Sequence, residues 1–553
     1  MPRIRRKPLL LCLLLSGCFS TDSGVEAPLE RIYFPVGVAL SDAGDRLFVA
    51  NSDFDLQFNS GTLQLYDAAA LRALLPRYCD DDSACNTGET CDNRSLDGEA
   101  PTYWCVEPAS GATPLDVCAR AMPSLSARRG ENLLNLSTQS PSALLNQPGR
   151  CGPIDAGQYD LRVDTVRIGA FVSDLIVVPR SDGTGTTDAG SQSSGDVRLL
   201  MPVRGDATLH WVDVNDGARG KGELDCGQDP SSRVCDANHR RGDDSATENS
   251  RGVELPSEPF AVAASSDGDR ILVTHQASGQ LSLFTGGASP SGPRLQYVLS
   301  DLPAGAVAIA AVPEPELTSA GNSGNDSFLV SYRNLSTISL VRFFDDAPPA
   351  GSAGENRPYV SRTAQITIRA NARGTDSRGL AVDPSDRQGC EASCTAGDIP
   401  CLTECAAIPL DIYASNRNPD TLLIGETRGS LNEALTDDLP RFDQVQSLQA
   451  GPSKVVVGKI RNSDGELERR VFTSCYDAAS VHIYDPAQQR VEMVIRTGRG
   501  PHAIVIDEQH ALAYIAQFVD SYVSIVDLDQ SHTHSYGKII ANLGRAIPPR
   551  ASK

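Results

Sequence analysis

The sequence predicts an all-β fold: a single β-propeller of seven blades with long disulfide-stapled loop insertions. Three observations carry this expectation. A three-strand pattern recurs along the chain. Within it apolar residues alternate at period two, the signature of strands rather than helices. The copies are unevenly spaced, and the extra residues are rich in Gly, Ser, Asp, Asn and Cys. Each unit leaves both sheet faces apolar, so it must stack on neighbours, and closing the ring leaves only short, protected edges.

The clearest copy is Gly500 to Asp507, then Leu512 to Ala516, then Tyr522 to Asp527. A second runs Pro35 to Asp42, Arg46 to Asn51 and Thr62 to Asp67, and a third Pro259 to Ala263, Asp267 to Val273 and Gln280 to Phe284. Asp-Gly pairs suit the intervening turns because Gly accepts positive φ. Weaker copies place second and third strands at Arg198 to Val203 with Leu209 to Val214, and at Phe328 to Ser331 with Ile338 to Phe343. Two more lie at Asp411 to Ser415 with Thr421 to Gly425, and at Val471 to Cys475 with Val481 to Asp485. The propeller is expected over 30–545, with a C-terminal tail at 546–553 and Cys-rich insertions at 76–152 and 386–410. Arg31 to Phe34 and Lys538 to Leu543 are both candidates for the outer strand that closes the ring.

Propeller sites sit where the innermost strands converge on the channel. In the repeat alignment, the position that follows the leading Pro, a Pro replaced by Val172 and Ser377 in two copies, is filled by Val36, Ser173, Phe260, Arg378, Ser453 and His502, with the fourth blade unassigned. The next position holds Gly37, Asp174, Ala261, Gly379, Lys454 and Ala503. Asp174, Arg378, Lys454 and His502 are therefore the channel-mouth candidates. Their cations suit a carboxylate or phosphate, and His502 suits a base. Each also has a plainer role, solvating the mouth or joining blades. No catalytic residue is assigned: the chain has no Gly-x-Ser-x-Gly, no P-loop and no His-Glu-x-x-His.

The 553 residues carry 70 acidic and 49 basic side chains, a net charge of −21. That balance argues against nucleic acid, whose phosphates need concentrated Lys and Arg. At the N-terminus, Arg3, Arg5, Arg6 and Lys7 precede an apolar run, Leu9 to Leu15, too short to span a bilayer. The run ends Leu15-Ser16-Gly17-Cys18, which resembles a bacterial lipobox. The resemblance implies a signal peptide at 1–17, cleavage before Cys18, lipidation (palmitate among the acyl chains) of Cys18, and a tether at 18–29. Phe19 in place of Asp favours the outer membrane over inner-membrane retention.

Setting aside Cys12 and Cys18 leaves 13 of the 15 cysteines, a number that in an exported chain implies disulfides. Cys79, Cys85, Cys91 and Cys105 resemble the small Cys-rich modules of bacterial surface proteins; Cys118 and Cys151 would then pair. Cys226 and Cys235 suit a short loop. Cys390, Cys394, Cys401 and Cys405 suggest a clasped helical hairpin bridged 390 to 405 and 394 to 401, with a zinc site as the disfavoured rival. Cys475 is left over, expected in a buried strand. No Cys-x-x-Cys-His occurs, and no cofactor or metal is expected.

The repeat resembles the YVTN-type surface propellers, most closely at Phe48-Val49-Ala50-Asn51 and Tyr514-Ile515-Ala516-Gln517. The resemblance spans about 30 to 545. With the lipobox, the long loops and the missing catalytic motif, the expectation is a lipid-anchored envelope protein, a monomer facing the periplasm or the cell surface, that acts as a binding or scaffold module for a protein, peptide or glycan. The rival expectation is a lactonase-type hydrolase with its site in the channel.

Overall fold

The computed structural model describes residues 24–75, 153–180, 197–215, 222–242, 252–313, 326–346, 356–368, 375–395, 397–427, 439–533 and 535–547, and parts of 79–106. Cys18, Cys118 and Cys151 lie outside the described residues, as do 1–17 and 548–553.

Seven antiparallel sheets follow one another along the chain, each running from an innermost strand outward. The innermost strands are Pro35–Leu40, Ile176–Pro179, Pro259–Ala264, Ala306–Val312, Thr375–Asp383, Pro452–Arg461 and Pro501–Asp507. The second and third strands of each sheet are the buried heart of the blade. In the seventh, Leu512–Gln517 and Tyr522–Asp527 are buried at every position. Alternate side chains face the blade before and the blade after, so the apolar core is continuous around the ring. Phe48, Leu63, Leu199 and Val212 belong to one cluster that joins the first and second blades. Burying a side chain of this size contributes about 1.5–3 kcal/mol.

Polar groups reinforce the stack. Arg72 reaches Asp507 at 3.2 Å, Arg270 reaches Asp326 at 2.8 Å and Arg469 reaches Asp383 at 3.0 Å, each pair joining neighbouring blades. Within blades, the last residue of the second strand bonds back to the third: His275 Nε2 meets Ser282 Oγ at 2.8 Å, Tyr332 donates to Ser339 Oγ at 2.6 Å, and Gln517 donates to Ser524 Oγ at 3.2 Å.

The ring closes without exchanging strands between the chain ends. Ile539–Leu543 is the outer strand of the seventh blade. Arg31 to Phe34 forms no strand; Phe34 instead packs on Phe518, their ring centres 5.0 Å apart, and its N–H donates to Ser521 Oγ at 3.2 Å. The clasp is Pro153–Ile154, which leaves the first blade's insertion and pairs in parallel with Asn542 and Leu543.

Antiparallel connectivity sends most of the long insertions to one side; the connection spanning 226–258, from the outer strand of the second blade to the innermost strand of the third, lies on the other. The connections spanning 68–161, 181–196, 313–326, 345–358 and 384–410 all leave from the end where the innermost strands finish. In the first, Thr90–Asn93 pairs with Tyr103–Val106, tied by Cys79–Cys91 and Cys85–Cys105. In the last, helices Ser385–Ser393 and Ile399–Ala406 are clasped by Cys390–Cys405 and Cys394–Cys401. Cys226–Cys235 closes a loop after the second blade, and Cys475 is buried at the end of the strand Leu467–Cys475.

Candidate functional site: the channel mouth

Every innermost strand carries one or more extra residues near its start. The register with the second strand slips between Pro35 and Gly37, Pro259 and Val262, Ala306 and Ala308, Ser377 and Gly379, Pro452 and Val455, and Pro501 and Ile504. In the second blade, Val172 opposes Val203 while Ile176 opposes Leu200, so four steps face three. A bulge re-aims the unpaired side chain, and here it turns Val36, Ser173, Phe260, Val307, Arg378, Ser453 and His502 into the channel. Val307 fills the place the sequence left unassigned in the fourth blade. The carbonyls freed by the bulges are used between blades: Ser331 Oγ donates to Ser377 O at 2.9 Å, and Ser415 Oγ to Ser453 O.

A second ring surrounds the first. The residue that follows the second strand points to the same mouth as Ser52, Arg204, Tyr476 and Phe518 in the first, second, sixth and seventh blades, and Arg417, near the end of the fifth blade's second strand Asp411–Asn418, joins them. With Phe54 and Phe171 these enclose a cavity of about 280 Å³. Its walls are aromatic: Phe54 lies 5.3 Å from Phe518 and 6.0 Å from Phe171, in edge-on contacts. Its charged lining is cationic, consisting of Arg204, Arg378, Arg417 and Lys454, and among the described residues no carboxylate lines it.

The carboxylates stand behind the cations and aim them. Asp376, at a left-handed φ of 71°, holds Arg378 in a two-pronged pair, Nε at 2.8 Å and Nη2 at 3.1 Å. Glu258 pairs with Arg204. Asp477 sits 3.7 Å from Arg417, whose Nε donates to Pro452 O at 3.0 Å. Burial, and then the neighbouring Arg378, push the Arg417 guanidinium below its usual value. Arg204 Nε is buried without a hydrogen-bond partner among the described residues.

Asp174 and Lys454, 280 residues apart, meet across the channel at 2.8 Å. Together with Arg378 they form a collar. Below it a second cavity of about 210 Å³ continues down the axis, lined mostly by Val38, Leu175, Val262, Ile309, Leu380 and Ile504. The four sequence candidates are thus brought together, with Asp174 beneath the mouth and Arg378, Lys454 and His502 in its wall.

His502 Nδ1 donates to Val36 O at 2.9 Å, across the closure between the seventh and first blades. A carbonyl can only accept, so Nε2 is the acceptor nitrogen. Burial first, and then the Lys454 ammonium, hold this imidazole down to about 4, so it is neutral at pH 7. Among the described residues, the groups of three side chains close enough to share a metal ion are the sulfurs of Cys79, Cys85 and Cys105, and of Cys394, Cys401 and Cys405. All of these sulfurs are held in disulfides.

No protein-family model matches this chain, and no curated protein matches its sequence. Among solved structures it is similar to hydrazine synthase from Kuenenia stuttgartiensis (9% identity, 92% of this chain and 99% of that one, TM-score 0.42). It is also similar to a candidate 6-phosphogluconolactonase from Bacteroides uniformis (11%, 82% and 82%, 0.39). A third is a functionally unknown protein from Desulfotomaculum acetoxidans (10%, 66% and 86%, 0.39). Likeness at this level says nothing of activity. The chain is a seven-bladed β-propeller whose channel opens through a cationic, aromatic-walled mouth.

Proposed function

We propose that this chain is a binding module of the bacterial cell envelope, anchored by lipid at Cys18, whose channel mouth captures an apolar ligand through a free carboxylate. A peptide C-terminus ending in an aromatic residue has this chemistry, and so does a small aromatic acid. One observation carries the reading: the 280 Å³ mouth presents four cations and several aromatic rings, while the matching carboxylates are withdrawn behind the cations. Cations already oriented by partners lose little freedom on binding, and charge-assisted bonds to a carboxylate gain strength where rings exclude water. The lipobox resemblance supports the anchor.

The test is calorimetric titration with 3-phenylpropionate and with a peptide ending in Phe, each against its carboxamide. The acids are expected to bind and the amides not. Lys454→Met or Arg417→Met should weaken binding about tenfold or more, ~1.4 kcal/mol. Equal binding of acid and amide would refute the site.

A second reading, hydrolysis of a lactone, has one observation in its favour: the neutral His502 whose Nδ1 is held by Val36 O, leaving Nε2 as the acceptor nitrogen facing the mouth. Such a group can draw a proton from water beside cations that stabilise an oxyanion. Lactone turnover lost in His502→Gln, with 3-phenylpropionate binding retained, is the result that would favour it.

A further inference from the structure

We infer that the edge of the mouth face formed by the first blade's loop rests on a lipid bilayer, with Val25 and Leu56 in the membrane interface and the mouth itself beside the contact. The inference rests on the proposed acylation of Cys18.

Three observations meet at this face. The first is where the chain comes from. Val25 O accepts a hydrogen bond from Asn59 N at 2.9 Å, and Gly24 packs against the Asn59 side chain, so the chain enters the fold at the loop joining the second and third strands of the first blade. That loop also supplies Ser52 and Phe54 to the mouth. Six residue steps separate Cys18 from Gly24. Fully extended they reach about 20 Å, at 3.3–3.6 Å each. An acylated Cys18 therefore holds this face close to the bilayer and leaves the opposite face on the far side of the protein.

The second is what the face presents. Val25, Phe54 and Leu56 are 65%, 52% and 63% exposed, an unusual grouping of large apolar side chains on one short loop and the irregular segment beside it. Aromatic and aliphatic groups at such a surface favour the interfacial layer of a membrane.

The third is that the loop is built to hold this shape. Asp53 and Leu56 both take left-handed φ, 53° and 54°. Asp53 Oδ2 accepts from Phe58 N at 3.1 Å, Leu56 N donates to Asp53 O at 3.2 Å, and Tyr33 bonds Asp55. The apolar tips are thus displayed by a loop braced on its own backbone. The connections spanning 68–161, 181–196, 313–326, 345–358 and 384–410 leave from the other end of the blades. The connection spanning 226–258 shares this face and flanks the entry point, Cys235 N donating to Arg167 O at 3.0 Å while Arg167 Nε donates to Ala27 O at 2.9 Å.

The experiment uses full-length, lipidated protein on vesicles of phosphatidylethanolamine and phosphatidylglycerol carrying brominated acyl chains. Leu56→Trp is compared with Ile399→Trp, an apolar site 54% exposed on the helical hairpin of the opposite face. Mass spectrometry of the N-terminal peptide establishes acylation independently. The expected result is an acylated Cys18, with quenching and a blue shift confined to the Leu56→Trp reporter. Acylated, vesicle-bound protein with Leu56→Trp unquenched, or with Ile399→Trp quenched instead, overturns the inference and leaves the anchor standing; it would point to a protein partner on this face. An unmodified Cys18 overturns the anchor and the inference with it.

Discussion

Acid should destabilise this propeller through histidines it has buried in neutral form, and His482 isolates the effect. His482 lies in the third strand of the sixth blade, 5% exposed, and neither ring nitrogen has a hydrogen-bond partner among the described residues. Burial holds it down to about 4, from an ordinary 6.5. His275, fully buried between Ser257 O and Ser282 Oγ, is held at about 4 for the same reason. Between pH 6.5 and 4 the unfolded chain binds more protons at these sites than the folded one. The stability they contribute is therefore complete above 6.5 and is lost as the pH falls through 4. At pH 5, one and a half units below 6.5, each histidine costs about 2 kcal/mol at ~1.4 kcal/mol per unit. The assay is urea denaturation followed by circular dichroism at pH 7.5 and pH 5. His482→Leu keeps an apolar side chain between Val481 and Ile483. It should shrink the pH 7.5 to pH 5 loss of stability by about 2 kcal/mol relative to the parent. An unchanged loss would show that His482 is not held neutral by burial, and the argument for His275 and His502 would fall with it.

Further outcomes follow from single contacts. Asp53 acts in the opposite sense: burial pushes its carboxyl up to about 7, so its share of stability is present below 3.8 and is lost as the pH rises through 7. Asp53→Asn should therefore steepen the acid loss of stability in the same urea series. Gly379 lies where the innermost strands of the fifth and sixth blades touch, and a Cβ there would stand 2.1 Å from Ser453 O. Gly379→Ala should destabilise by about 3 kcal/mol, read as a fall in the thermal midpoint. The nine-residue separation of Cys226 and Cys235 predicts that replacing both by Ala lowers stability by about 2–3 kcal/mol, measured by denaturation without reductant.

The sequence carried the blades better than it carried the mouth, for physical reasons. Second and third strands are buried on both faces and alternate cleanly, so Leu512–Gln517 and Tyr522–Asp527 read as strands on sight. The fourth innermost strand, Ala306–Val312, opens without a Pro and consists of Ala, Val and Ile, so it offered no contrast from which to place Val307. Asp174, Arg378, Lys454 and His502 could be aligned because a bulge recurs at one position of each repeat. Arg204, Tyr476 and Phe518 were missed because they lie in turns of unequal length, and Arg417 because its strand runs on to Asn418, past the Ser415 at which the repeat pattern ends it. The signal that would have found the first three is their place directly after the second strand. The withdrawal of Asp376, Glu258 and Asp477 behind the cations has no trace in spacing at all, since it depends on backbone direction at residues such as Asp376. The closing clasp at Pro153–Ile154 was equally hidden, being a two-residue strand inside an insertion.

The central claim is that the mouth selects a carboxylate through cations held in place from behind. The most direct measurement is titration of 3-phenylpropionate into the parent protein and into Asp376→Asn, which leaves Arg378 present but removes the charge that aims it. The account predicts binding to the parent, none by the matching amide, and weaker binding by Asp376→Asn with an unchanged thermal midpoint. Equal affinity for acid and amide, or binding unaffected by Asp376→Asn, would contradict it.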